Sequence, residues 1–345
     1  MASALATVVI TPREQFSKAK RSLDTILACT DAAVPIIYVD GNSPRAVAQY
    51  VRERASRRPF RVLRTNQYLS ANQARNWGLP YVATKYVAFV DNDVSVDAGW
   101  LDTLIACAEE TGAWVVGPLY LIGEPAKQII HMAGADVHIL EQNGERRLYE
   151  RHRFSNVPVA QVREQLVRAK TDLMEFHCML VRMDVFDRLG PLDEGLLSVL
   201  DHVDFCLDVA QAGGSIYIEP AAVVAHLAPP PCGISDLPYF FLRFSDAWLD
   251  ASVQRFAQKH ALALTDEEFD GHRRFRDAHR LKALGRARGA VRRLTGRRGL
   301  AVADAFFTKV VCNRVIERAV VSPLERTRRA RSSPFASPLQ ASKGV

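Results

Sequence analysis

Two rhythms of apolar and polar positions alternate along the first third of the chain. Short runs rich in β-branched residues fall at 8–10, 35–39, 60–63, 86–90 and 114–116, and each reads as a strand. Between them, apolar residues recur at helical spacing. Phe16, Leu23, Ile26 and Leu27 follow the break at Pro12, and Val47, Tyr50 and Val51 follow the turn residues Gly41, Asn42, Ser43 and Pro44. Further helices are predicted over 70–79, with Ser70 as N-cap, and over about 98–111. This alternation predicts an α/β fold with a parallel sheet covered by helices. The run 86–90 carries no charge, as a strand buried on both faces requires, and it stops at Asp91.

The period fades over 123–169, where Glu, Gln and Arg gather, and this stretch is expected to form loops and an irregular lobe. A strand is expected over 175–181, then a helix over 201–212 closed by Gly213 and Gly214, then a strand over 215–218. Val223 and Val224 lead to His226. Pro229, Pro230 and Pro231 then break the chain before a helical region holding Tyr239, Phe240, Phe241, Phe244, Trp248 and Phe256. The organisation expected is therefore a main unit over 1–228, made of halves at about 6–120 and 121–228, a helical region over 229–271 packed on it, and a basic tail over 272–345. That tail is expected to be partly helical or disordered, the disorder beginning after about Ser332.

With 345 residues, 48% hydrophobic and 24% charged, the chain has ample material for a core, and disorder throughout is excluded. The net charge of +7 is unevenly spread. Residues 273–345 hold 19 Lys and Arg against 4 Asp and Glu, whereas residues 1–272 hold 26 against 34. Attraction to anionic surfaces is therefore sought in the tail. The six cysteines are scattered without C-x-x-C pairs and read as small buried hydrophobes. The first residues lack the basic and apolar regions of a signal peptide, and no run of about eighteen apolar residues spans a bilayer, so a cytoplasmic protein, peripheral at the inner membrane face at most, is expected.

Chemistry concentrates at Asp91, Asn92 and Asp93. Ligands of open α/β sheets bind outside the carboxyl ends of the strands, where these residues emerge. Two carboxylates two residues apart on extended backbone face one side, and such a pair can hold a hard divalent cation together with a diphosphate. The competing reading is that they cap the following turn.

The ordered set VVITPRE, IIYVDGNS, LSANQARNWGL, YVAFVDNDVSVDAGWL, EFHCMLVRMDVFDRLGPLDEGL, DHVDFCLDVAQAGG and VVAH resembles the inverting family-2 glycosyltransferases over about residues 6–260. The resemblance implies the GT-A fold, a Rossmann-like, mixed and mainly parallel sheet flanked by helices, here with a C-terminal helical extension. It also implies transfer of a sugar from a nucleotide-diphospho-sugar donor to an acceptor hydroxyl, with Mn²⁺ or Mg²⁺ as cofactor. Thr11, Pro12, Arg13, Glu14 and Asp40 stand where relatives contact the nucleotide, while Asn72, Arg75 and Asn76 approach nucleotide and diphosphate with Asp91 and Asn92. Asp91 and Asp93 match the metal-binding D-x-D, and His226 matches a histidine near the metal or diphosphate. The first strand is followed by Pro12, Arg13 and Glu14 where the family usually has Thr or Tyr and Asn. The acceptor motif, commonly Glu-Asp-x-Asp, is here Asp201, His202, Val203 and Asp204. An inverting transfer needs a general base, and Asp201 or His202 is the candidate, Asp201 being favoured slightly over its reading as a helix cap. Glu175, His177, Asp193, Glu194 and Asp204 are candidates for the acceptor side.

In the tail, Leu281, Leu284, Val291 and Leu294 are interleaved with eleven cations over 273–298 and the single acid Asp277. A solvated or disordered face comes first, an anionic membrane surface second, which would suit a glycan or lipid-linked acceptor. Specific nucleic-acid binding comes last, since Phe275 is the only aromatic there. Two other functions stay open. One is a catalytically degenerate GT-A fold that binds a glycan or membrane, and the other is a phosphatase with Asp91 as nucleophile, which the position of Asp91 after the fourth strand disfavours.

Overall fold

The computed structural model describes residues 4–227, 233–263 and 266–330. The expected Pro-rich break at 229–231, the expected disorder after Ser332, and Cys232 lie outside them. The first half follows the two rhythms closely. Strands β1 (Ala6–Thr11), β2 (Ile36–Gly41), β3 (Arg61–Thr65) and β4 (Tyr86–Asp91) are joined by helices α1 (Ala19–Cys29), α2 (Arg45–Arg57) and α3 (Ala71–Gly78). All four strands are parallel, β4 beside β1, β1 beside β2 and β2 beside β3. Helix α3 starts where expected because Ser70 accepts from the Gln73 amide while the Gln73 side chain accepts from the Ser70 amide, a reciprocal cap.

The short strand β5 (Val94–Val96), helix α4 (Trp100–Thr111) and strand β6 (Val115–Ile122) follow. Strand β7 (Ile130–Met132) pairs with β6, and β8 (Ala135–Gln142) with β9 (Glu145–His152) forms a separate antiparallel hairpin of eight residue pairs. The irregular lobe expected over 123–169 thus holds a short strand and a regular hairpin. Its hairpin was hidden because β9 is half-exposed along its length, so neither face carries a run of apolar residues.

After a one-turn helix α5 (Val159–Val162), strand β10 (Ala169–Lys170) leads to β11 (Cys178–Arg182), which runs antiparallel to both β4 and β6. This reversal positions the site. Because β11 starts where β4 ends, the residues just before β11, Glu175 to His177, meet the carboxyl end of β4. Helices α6 (Asp184–Leu189) and α7 (Asp201–Gln211) follow, and then strand β12 (Ile216–His226), parallel to β6 and irregular between Glu219 and Val223, brings His226 to the same edge. The full sheet runs β10, β12, β6, β11, β4, β1, β2, β3, with β5 on β12 and β7 on β6. Phe89 in the central strand meets Phe176 and Phe186 edge-on, at 5.7 and 6.2 Å between ring centres, and burying each such ring contributes about 1.5–3 kcal/mol.

Helices α8 (Leu237–Arg243), α9 (Asp246–His260), α10 (Asp266–Ala283) and α11 (Gly285–Phe306), a π-helical stretch (Phe307–Val321) and α12 (Ser322–Ala330) complete the described chain. Helix α10 runs unbroken through the boundary expected between 271 and 272. Several cations of the basic segment are structural. Arg280 is 1% exposed, donates to the Phe244 carbonyl at 2.5 Å and pairs with Glu317 at 2.9 Å, and Arg276 is buried against Asp246 and Asp277. No described helix is long and apolar enough to cross a membrane.

Candidate active site

Strand β4 ends at Asp91, and Asn92 and Asp93 turn the chain into β5. The two carboxylates, expected to face one side, meet different partners, although both are fully buried. Asp91 is held by protein partners on both oxygens: Arg75 donates to Oδ1 at 3.2 Å, and His177 Nδ1 stands 2.9 Å from Oδ2, with Arg13 Nε at 3.6 Å. Burial raises its pKa, only partly offset by Arg13 and Arg75. Asp93 differs. Its Oδ2 accepts the amides of Glu14 and Gln15 at 3.2 and 3.3 Å, but its buried Oδ1 has no hydrogen-bond partner.

His226 lies 3.8 Å from that oxygen, an ion-pair distance too long for a hydrogen bond, and neither of its ring nitrogens is hydrogen-bonded. Burial works against the charge of His226, yet Asp93, Glu14 and Asp91 outweigh it and push its pKa up to about 9. Ligand atoms of Glu14, Asp93 and His226 all lie within 4.8 Å of one another. Two carboxylates and an imidazole with open buried atoms suit a divalent cation that accepts mixed O and N ligands. Asp91, expected among the ligands, is not in this group, and Glu14, expected at the nucleotide, is.

The clamp on Asp91 extends to Asp201. Arg75 and Arg13 both donate to Asp201 Oδ2, at 2.7 and 3.0 Å. Helix α3 drives Arg75 into the protein, where it is fully buried with its guanidinium 4.0 Å from the centre of the Phe176 ring. Asp201 is buried too, but Arg13, His202 and Arg75 more than compensate and hold its carboxyl well below the usual range. Leu200, just before it, takes a left-handed backbone (φ 68°), which costs about 1–2 kcal/mol for a residue with a side chain and is retained where α7 presents Asp201. His202 Nδ1 faces Asp201 Oδ1 at 3.5 Å, and His202 Nε2 faces Glu175 Oε1 at 4.0 Å.

These groups border a cavity of about 460 Å³ whose walls include Arg13, Glu14, Glu175, His177, His202 and His226. Its remaining walls hold residues that the sequence reading missed: His131, Glu150 and His152 from β7 and β9, Arg243 from α8, and His272, Phe275, His279 and Lys282 from α10. Seven of the nine histidines of the chain line this one space. A signal existed in α10, since His272, Phe275 and His279 recur at the three- and four-residue steps of one helix face. Those in β7 and β9 had none, because their strands were not recognised.

The other candidates sit elsewhere. Thr11 and Pro12 are buried at the end of β1, and Asn92 Oδ1 accepts the Arg13 amide at 3.1 Å. Asp40, one residue before the end of β2, accepts the Ser43 amide at 2.8 Å and pairs with Arg64. Asn72 donates to the Asp193 carbonyl at 2.9 Å, and Asn76 to the Leu192 carbonyl and Glu194 at 2.8 and 3.0 Å, so these five residues sew α3 to the loop before α7. Asp204 faces α9, with His260 and Lys259 both at 2.8 Å.

Residues 7–190, more than half of the chain, match the family model described as Glycosyl transferase family 2. The chain belongs to that family. The solved GalNAc-T7, whose structure holds UDP, GalNAc and Mn²⁺, superposes with a TM-score of 0.51 over 81% of this chain and 55% of that one, at 17% identity, and shares the GT-A fold. The family-2 chain is also 27% identical over 255 residues to the uncharacterized protein y4gI of Sinorhizobium fredii, covering 70% of this chain and 26% of that protein. It is 28% identical over 154 residues to the pre-mycofactocin glycosyltransferase of Mycobacterium tuberculosis, covering 44% of this chain and 29% of that one. The family-2 chain thus spans under a third of the length of each curated relative.

Proposed function

We propose that this chain transfers a sugar from a nucleotide-diphospho-sugar to an acceptor hydroxyl, with inversion, and that Glu14, Asp93 and His226 hold the divalent cation. The observation that carries the proposal is the unpartnered Asp93 oxygen, fully buried beside Glu14 and His226 at the edge where β4 and β12 end. Mn²⁺ or Mg²⁺ bound there would offset negative charge on a leaving diphosphate. GalNAc-T7, of the same fold, is solved with UDP and Mn²⁺, which supports the same donor chemistry here. Arg13, Arg243 and Lys282 add positive charge to the cavity wall that a diphosphate would face.

As base we propose His202 rather than Asp201. Asp201 Oδ2 is taken by two guanidinium groups and its carboxyl is held well below the range in which it accepts a proton at neutral pH. His202 reaches the cavity and has Asp201 Oδ1 3.5 Å behind its Nδ1, so the carboxylate orients the ring. The acceptor we propose is a glycan or a lipid-linked glycan, delivered at a membrane face through exposed cations of α11 such as Arg286 and Arg292.

The test is thermal stabilisation by UDP-, GDP- and dTDP-sugars, each with Mn²⁺ and with a chelator. At least one donor is expected to raise Tm only when the cation is present, and Asp93→Ala is expected to abolish that rise. Stabilisation unchanged in Asp93→Ala would reject the metal assignment.

A further inference from the structure

We propose that His131, Glu175 and His177 form a second cation site, suited to a borderline transition ion such as Zn²⁺ and adjoining the Glu14, Asp93 and His226 group. Glu175 Oε2 lies 2.9 Å from His131 Nε2 and 3.3 Å from His177 Nε2, and the three ligand atoms fall within 4.8 Å of one another. Around a tetrahedral ion with bonds of about 2.1 Å, ligand atoms stand about 3.4 Å apart, so a small opening of this cluster admits one. The cluster borders the cavity, which gives an ion a way in and leaves an open coordination position.

The hydrogen inventory of His177 carries the argument. Its Nδ1 stands 2.9 Å from Asp91 Oδ2, and its Nε2 stands 3.3 Å from Glu175 Oε2. A neutral imidazole has one N–H and one lone pair, so whichever tautomer is present, one of the two carboxylates meets a lone pair. With the N–H on Nδ1 and donated to Asp91, an ion between Nε2 and Glu175 removes that conflict. Metal-bound histidines commonly donate their second N–H to a carboxylate in this way, which fixes ring and tautomer.

Two imidazoles and one carboxylate favour Zn²⁺, Co²⁺ or Mn²⁺ over Mg²⁺, whose preference is for oxygen. The two sites touch, since the His177 and His226 rings stack with centres 4.0 Å apart. Glu175 Oε1 is 4.0 Å from His202 Nε2, so the second ion would also fix the carboxylate facing the proposed base. This inference does not depend on sugar transfer.

The test counts metal on the full chain. Chelator-stripped protein is loaded with Zn²⁺, desalted and analysed for bound metal, and a parallel Co²⁺ titration follows the visible absorption that reports nitrogen ligands. His131→Ala, at a half-buried ring, is the main variant, and Glu175→Gln the second, each checked for folding by circular dichroism. His131→Ala is expected to hold one Zn²⁺ fewer than the wild type, and Glu175→Gln the same. A His131→Ala protein, folded and carrying as many ions as the wild type, overturns the site. Asp93→Ala reads the other group separately, so loss of one ion there, and not in His131→Ala, leaves the proposed function standing while the second site falls.

Discussion

Asp91 and Asp93 are separated by one residue and are equally buried, yet their surroundings differ in kind. Both Asp91 oxygens have protein partners, Arg75 on one and His177 on the other, and Arg75 ties the carboxylate to Asp201. The Asp93 side is open, with an orphan oxygen and a histidine whose nitrogens lack hydrogen bonds. Closed networks of buried charge hold a structure together, and open ones await a ligand. On this contrast we propose architecture for the first carboxylate and ligand binding for the second.

Removing the clamp breaks the comparison most severely. Arg75→Ala leaves two buried carboxylates short of a counter-charge and is expected to destabilise the fold by about 3–5 kcal/mol in urea unfolding. Asp93→Ala also leaves the Glu14 and Gln15 amides without their acceptor, but is expected to cost less stability than Arg75→Ala in the metal-free protein and to abolish donor-linked stabilisation. At a hundredfold excess of donor over Kd that stabilisation is worth about 2.7 kcal/mol. Equal losses of stability in the two variants would erase the distinction.

Proton competition sharpens it. His226 titrates at about 9 in the metal-free protein, so a cation must displace its proton below that pH. Apparent Mn²⁺ affinity is expected to rise by up to about tenfold per unit between about pH 6.5 and 8.5, and to lose that slope in His226→Gln, as read by calorimetric titration. Without metal the sign reverses. The raised pKa adds stability that is complete below the ordinary histidine pKa and disappears as pH rises through about 9. The smallest effect is expected from Ser70→Ala, which removes the cap of the helix carrying Arg75, costs about 1 kcal/mol, and leaves Mn²⁺ binding unchanged.

Much of this was legible beforehand where the signal is local. The uncharged run ending at Asp91 marked the central strand, and Ser70 with Gln73 marked the start of α3, because periodicity and capping depend on neighbours in the chain. The hairpin β8–β9 was not legible, since both its faces are partly wet and its apolar alternation is weak. The different partners of Asp91 and Asp93 have a local cause as well, since the extended backbone ends at Asp91 and a turn follows.

The order of strands and helices in the first third, and an acid pair at the end of a buried strand, were set by patterns within a few residues of one another. Which acid stays open was decided by folding, because its partners come from afar. Arg75 meets Asp201 across 126 residues, and His177 meets Asp91 across 86. The gathering of seven histidines around one cavity has the same origin. Strand β11 reverses direction beside β4, and α10 covers the opening, so distances that no spacing in the chain encodes become contacts of a few ångströms.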